Sequence, residues 1–167
     1  MDSLTIATLT LTAATLFLCG VTVWLVCETK RASNRQIQIQ MWLEMMKRFD
    51  SREMKLARKT LATRIKNHAK HEEISETVLD FFEDIGTLLR YGHIDKTLVK
   101  ASLGFYATRW WEAIQPYVFE ERRNHNDDRT VFEDLETFGK GIRLPHEKVD
   151  TAELKQFLDD EARLVID

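Results

Sequence analysis

Residues 4–26 read LTIATLTLTAATLFLCGVTVWLV, and the charge-free run around them extends from Ser3 to Cys27. As an α-helix those 23 positions would measure about 35 Å, against a hydrocarbon slab of ~30 Å. Lipid offers the backbone no partner, so a lone spanning segment has to be helical. Its threonines are tolerable because each hydroxyl can donate to a carbonyl one turn earlier. A run this long and uncharged argues against a buried core helix. A cleaved signal peptide would open with basic residues and carry a small-x-small site, whereas this chain opens Met1-Asp2-Ser3 and sets Leu18 before Cys19. The stretch reads as an uncleaved anchor.

The flanks orient it. Asp2 precedes the run, and Lys30, Arg31 and Arg35 follow it. Basic residues beside a spanning end stay in the cytoplasm, and anionic head groups attract them. The expectation is a single-pass protein of the inner (plasma) membrane, with its amino terminus outside and the remainder cytoplasmic. Both cysteines, Cys19 and Cys27, lie in or beside the anchor, so the soluble part needs no oxidising compartment. Within the anchor Thr5, Thr8, Thr12, Thr15, Cys19 and Thr22 recur at spacings of three and four, forming one helical stripe. Small, weakly polar side chains let two helices approach and bond across a seam, so this face is the candidate for self-association.

Across 167 residues the 24 Lys+Arg and 27 Asp+Glu leave a net charge of −3, but they are unevenly spread. Residues 28–70 hold twelve basic and four acidic side chains; residues 71–167 hold twelve and twenty-two. A basic stretch beside the anchor suits anionic lipid, and the acidic remainder opposes nucleic-acid binding. A hydrophobic share of 44% excludes a disordered tail, and two cysteines exclude a disulfide framework. Six glycines and two prolines favour helices over a sandwich or barrel. The chain therefore divides into an anchor (1–27), basic juxtamembrane helices (28–70), an acidic helical core (71–138) and a linker with a last helix (139–167).

Apolar spacing supplies the helices. The first soluble one should run from about Ala32 to Phe49, with Ile39, Trp42, Met46 and Phe49 on one stripe. Asp50 and Glu53 form a candidate capping box for a second, carrying Met54, Leu61 and Ile65. A third should extend from near Glu73 to Tyr91, burying Val78, Phe81, Phe82 and Ile85, and stop at Gly92. Asp95 should cap a fourth through Leu103, Trp110 and Trp111, with a kink or restart at Pro116. A short helix burying Val131, Leu135 and Phe138 should end at Gly139 and Gly141, and a last one should open at Thr151. The fold class expected is all-α: one transmembrane helix followed by a cytoplasmic helical bundle.

No catalytic constellation emerges. His68 and His71 share a helix face, but zinc needs at least three protein ligands, and neither an H-E-x-x-H pattern nor a soluble cysteine is present. No Glu stands three residues before a His, as di-iron bundles require. Neither a metal nor a cofactor is expected. The enzyme alternative is a membrane-tethered helical RNase using Arg64 and His71, at a spacing that chance alone supplies about once in a chain of this composition.

The order of marks resembles a bacterial family catalogued as domain of unknown function 4760. They are Val78 through Gly86 (VLDFFEDIG), then Gly92-His93-Ile94-Asp95, Trp110-Trp111, Arg122 and Phe132-Glu133-Asp134-Leu135, with Phe49-Asp50-Ser51-Arg52-Glu53-Met54 upstream. The resemblance covers about residues 40–138 and implies a membrane segment followed by a helical domain. Phe82, Glu83, Gly86, Gly92, Asp95, Trp111 and Arg122 are its packing and capping positions. Gly86 inside a helix suggests close approach by a neighbour, and Glu83 is expected to pair with Arg58, Arg109 or Arg122. The resulting functional expectation is a membrane-anchored interaction or scaffold protein, with membrane lipids and itself, another protein or both as partners, and no nucleic acid. On size and layout it would suit an accessory or effector subunit of a bacterial stress or phage-defence system.

Overall fold

The structure, a computed structural model, describes residues 2–68, 76–142 and 149–166, with the backbone alone for residues 3–10. It is all-α among the described residues. The helices are α1 (Ser3–Phe49), α2 (Arg52–Lys66), α3 (Thr77–Arg90), α4 (Lys96–Asn124), α5 (Glu133–Ile142) and α6 (Thr151–Ala162). Contacts divide the chain into two units, residues 1–40 and 41–167.

The first unit is most of α1. It runs on without the expected interval between the anchor and a helix beginning at Ala32. Neither glycine nor proline occurs between Cys27 and Ala32, and Glu28 pairs with Arg31 one turn on at 3.5 Å, so nothing stops the helix there. Its apolar side chains face outward: Leu16, Phe17 and Trp24 are 68%, 72% and 63% exposed. Thr15, Thr22 and Thr29 each donate to the carbonyl four residues earlier at 2.8 Å, which satisfies their hydroxyls within the helix.

In the second unit the end of α1 joins α2–α6 around one core. Phe81, Phe82, Ile85, Trp110, Ile114 and Leu135 are fully buried. Trp42 and Phe49 belong to that core, with the Phe49 ring 5.5 Å from Phe81 and 5.0 Å from Tyr106. Ile39, assigned to the same stripe, is 54% exposed instead; it belongs to the first unit, whereas Trp42 and Phe49 belong to the second.

The helix ends follow local chemistry, with shifts. The N-cap of α2 is Ser51 rather than Asp50: its hydroxyl accepts from Met54 N at 3.2 Å. Residues 69–75, where the third helix was expected to begin, lie outside the described residues; α3 is described from Thr77. Gly92, at φ +69°, takes the left-handed conformation that stops α3. Asp95 caps α4 by accepting from Leu98 N at 2.9 Å.

Pro116 does not restart α4, which continues to Asn124. Proline removes the amide that would reach the Glu112 carbonyl. The Gln115 side-chain amide reaches that oxygen at 3.5 Å and the Glu112 carboxylate at 3.0 Å. Gly139 likewise does not end α5. It lies inside the helix, where a Cβ would come within 2.6 Å of Trp111 Cβ, and α5 runs to Ile142.

Candidate functional site

The marks that carried the family resemblance converge where α3 meets α5. Helical spacing places Phe82 in the core and turns Glu83 and Gly86 toward α5. A Cβ on Gly86 would lie 2.4 Å from the Asp134 carbonyl oxygen, so only glycine allows this approach of two backbones. The Glu83 carboxylate accepts from the backbone N–H groups of Asp134, at 3.2 Å, and Leu135. These are orphan donors at the start of α5, where the helix dipole also favours negative charge. Burial pushes the Glu83 carboxyl above its usual range, and the two N–H bonds only partly offset that.

This corrects the expected pairing of Glu83 with Arg58, Arg109 or Arg122. Its partner is the amide end of a helix, and the three arginines are engaged elsewhere. Arg58 faces Glu161 at 3.4 Å, and Arg109 faces Glu153 at 3.5 Å. Arg122, near the end of α4, donates to the Val131 carbonyl at 2.9 Å, the Phe132 carbonyl at 3.3 Å and Glu136 at 2.6 Å. It thereby fixes the turn before α5, in which Asn126, Asp127 and Phe132 all have positive φ. Lys140 also holds Glu136. Burial opposes the charge there, but the bonds from Lys140 and Arg122 together keep this carboxyl below its usual range.

Asp134 completes the joint. It is buried, and its Oδ2 accepts from Thr87 at 2.7 Å and Arg90 at 3.0 Å. Beside it lies a cavity of about 320 Å³ whose lining includes Gly86, Arg90, Lys96, Phe138 and Ile142. A wider cleft of about 810 Å³ between the end of α4 and α5 has Phe119, Arg123, Arg129 and Glu133 on its walls. Trp111, the remaining mark, is buried on α4 against Gly139 and edge-on to Phe119 at 6.2 Å. The arrangement is one of helix packing and capping, with two clefts beside the joint.

Other candidate residues fall elsewhere. Lys30, Arg31 and Arg35 are exposed on α1. Thr12, Thr15, Cys19 and Thr22 are exposed on one face of α1, while the side chains of Thr5 and Thr8 lie outside the description. Arg64 is half-buried on α2, and His71, its partner in the RNase alternative, lies outside the described residues. Among the described residues no three His, Cys, Asp or Glu side chains are grouped to hold a metal ion.

Sequence reasoning missed the Arg58–Glu161 pair. Spacing carried the signal: Arg58 falls four residues after Met54 and three before Leu61, and Glu161 falls four after Phe157, each on an apolar face.

No curated protein and no solved structure matches the chain. A family match reaches back to residue 4 and so takes in the apolar segment that the resemblance over residues 40–138 left out. It ends before α6. Matched over residues 4–141, the chain belongs to the family described as Domain of unknown function (DUF4760).

Proposed function

We propose that this chain is a single-pass protein of a bacterial inner membrane, amino terminus outside, whose cytoplasmic helical bundle works by binding partners rather than by catalysis. The observation that carries this reading is the apolar window of α1. It is long and hydrophobic enough to cross a bilayer, and none of it is buried within the structure. Soluble proteins rarely leave a contiguous apolar surface of that size in water. The exposed Lys30, Arg31 and Arg35 support the orientation, and the basic character of residues 28–70 supports contact with anionic lipid.

Copies associate through the α1 face bearing Thr12, Thr15, Cys19 and Thr22. Hydroxyls bonded back to their own helix, as at Thr15 and Thr22, leave a small, smooth surface for close approach. Protease added to inverted membrane vesicles tests the topology. The bundle should be digested there and protected in right-side-out vesicles; the opposite pattern would overturn the orientation. Self-association should fall in a membrane oligomerisation assay when Thr8, Thr12 and Thr15 are changed to Leu. An unaltered signal would remove the threonine face from the account.

A further inference from the structure

Helix α6 lies beyond the family match, and its twelve residues are too few for a helix to persist alone in water. It owes its form to the face of α2 and α4 that it covers. The charges of the two sides are complementary. α2 carries six Lys and Arg against one Glu, and α6 carries four acidic residues against one Lys. Glu161 meets Arg58, Glu153 meets Arg109, Asp159 pairs with Lys66, and Lys59 donates to the Leu164 carbonyl at 3.0 Å. Between these polar contacts Phe157 sits edge-on to Phe105, Tyr106 and Trp110, at centroid distances of 6.0, 6.3 and 5.2 Å. An apolar anchor flanked by matched charges is how amphipathic helices are held in grooves.

The fit is incomplete at its centre. Arg58 is 3% exposed and Glu161 5%, with the guanidinium carbon 4.0 Å over the Phe49 ring. Arg58 Nε and Nη1, Glu161 Oε2 and Trp110 Nε1 are buried without a hydrogen-bond partner among the described residues. Each unmet buried group works against the burial of Phe157 and Leu158. Arg58 Nε and Glu161 Oε2 face each other as the ion pair at 3.4 Å, so the groove donors that α6 leaves unused are Arg58 Nη1 and Trp110 Nε1.

We propose that the α2/α4 groove is a helix-docking site which α6 fills as a tethered, replaceable ligand. Its exchange partner is an acidic amphipathic helix of the same pattern, an aromatic residue and a leucine followed by a glutamate one turn on. The inference deepens the reading of the bundle as a binding module and is independent of the anchor; a chain found outside the membrane would sink the anchor and leave the groove untouched.

The test uses the full chain in detergent and a fluorescent peptide of residues 150–166. Tethered α6 competes with the peptide, so weakening it with Phe157→Ala in the chain should tighten apparent peptide binding by about tenfold or more. A peptide bearing the same substitution should bind neither chain. Hydrogen exchange on the wild-type chain should show α6 amides opening well before those of α3 and α4. The proposal is overturned if the peptide binds the variant chain no tighter than wild type. It is equally overturned if α6 opens only together with α3 and α4, or if Phe157→Ala unfolds the whole bundle, since α6 would then be part of the core.

Discussion

Gly86→Ala isolates the contact on which the α3–α5 joint depends. At a solvent-facing helical position the change would stabilise by about 1 kcal/mol, because alanine is the better helix former. Here the new Cβ would stand 2.4 Å from the Asp134 carbonyl oxygen and 2.6 Å from its carbon. Backbone cannot turn aside as a flexible side chain can, so α5 must move away. Overpacking of this kind costs roughly 1–3 kcal/mol. Moving α5 also stretches the bonds from Asp134 N and Leu135 N to Glu83 and from Thr87 to Asp134, worth about 1 kcal/mol each. The net expectation is a loss of about 3 kcal/mol, or roughly 10 °C in Tm for a domain of this size. Thermal unfolding of the detergent-solubilised chain, followed by circular dichroism at 222 nm, reads it directly. Gly141→Ala serves as the control, since a Cβ there meets nothing within 4 Å and should leave Tm unchanged or slightly raised. If Gly86→Ala matched Gly141→Ala, the close approach and the account of the joint would be wrong.

Arg122→Lys should lower stability by roughly 1–2 kcal/mol in the same melt, because one ammonium cannot reproduce a fork that serves two carbonyls and Glu136 at once; an unchanged Tm would show that the turn before α5 holds itself. The pH dependence should have two parts. Glu136 and Asp159 sit below the usual carboxylate range, Glu136 through its bonds from Lys140 and Arg122 against burial, Asp159 through Lys66. The stability they supply is present above their unfolded-state values and lost as pH falls through the depressed ones. Glu83 and Glu161 are pushed up by burial, so their contribution is present at low pH and lost as pH rises through the raised values. Between about pH 3 and 7, Glu136→Gln should therefore flatten the acid limb of the Tm profile and Glu161→Gln the opposite limb; parallel profiles for both variants would refute those assignments.

The helical class, the buried faces of α3 and α4 and the Asp95 cap were legible because each follows from spacing or from one side chain acting on its own neighbours, whereas Ile39 is exposed and Val131 lies half-buried before α5. What escaped depended on distant partners. Hydropathy changes sharply after Cys27, yet backbone conformation does not follow hydropathy, and α1 continues. Gly139 has the same letter whether it stops a helix or receives a neighbour, and only the position of Trp111 decides between them. Pro116 is accommodated by Gln115, whose side chain works on a carbonyl that proline left without a donor. Matching Glu83 to arginines by charge overlooked the amide end of α5, a positive partner that has no charged residue in the sequence.

The claim beneath the functional proposal is that the exposed apolar stretch of α1 resides in a bilayer. Carbonate-washed membranes from cells producing the untagged chain, separated by ultracentrifugation and followed by intact mass, examine it most directly. The proposal predicts the uncleaved 19.6 kDa chain in the pellet, released only by detergent. Recovery of that same full-length mass in the supernatant, without detergent, would contradict it.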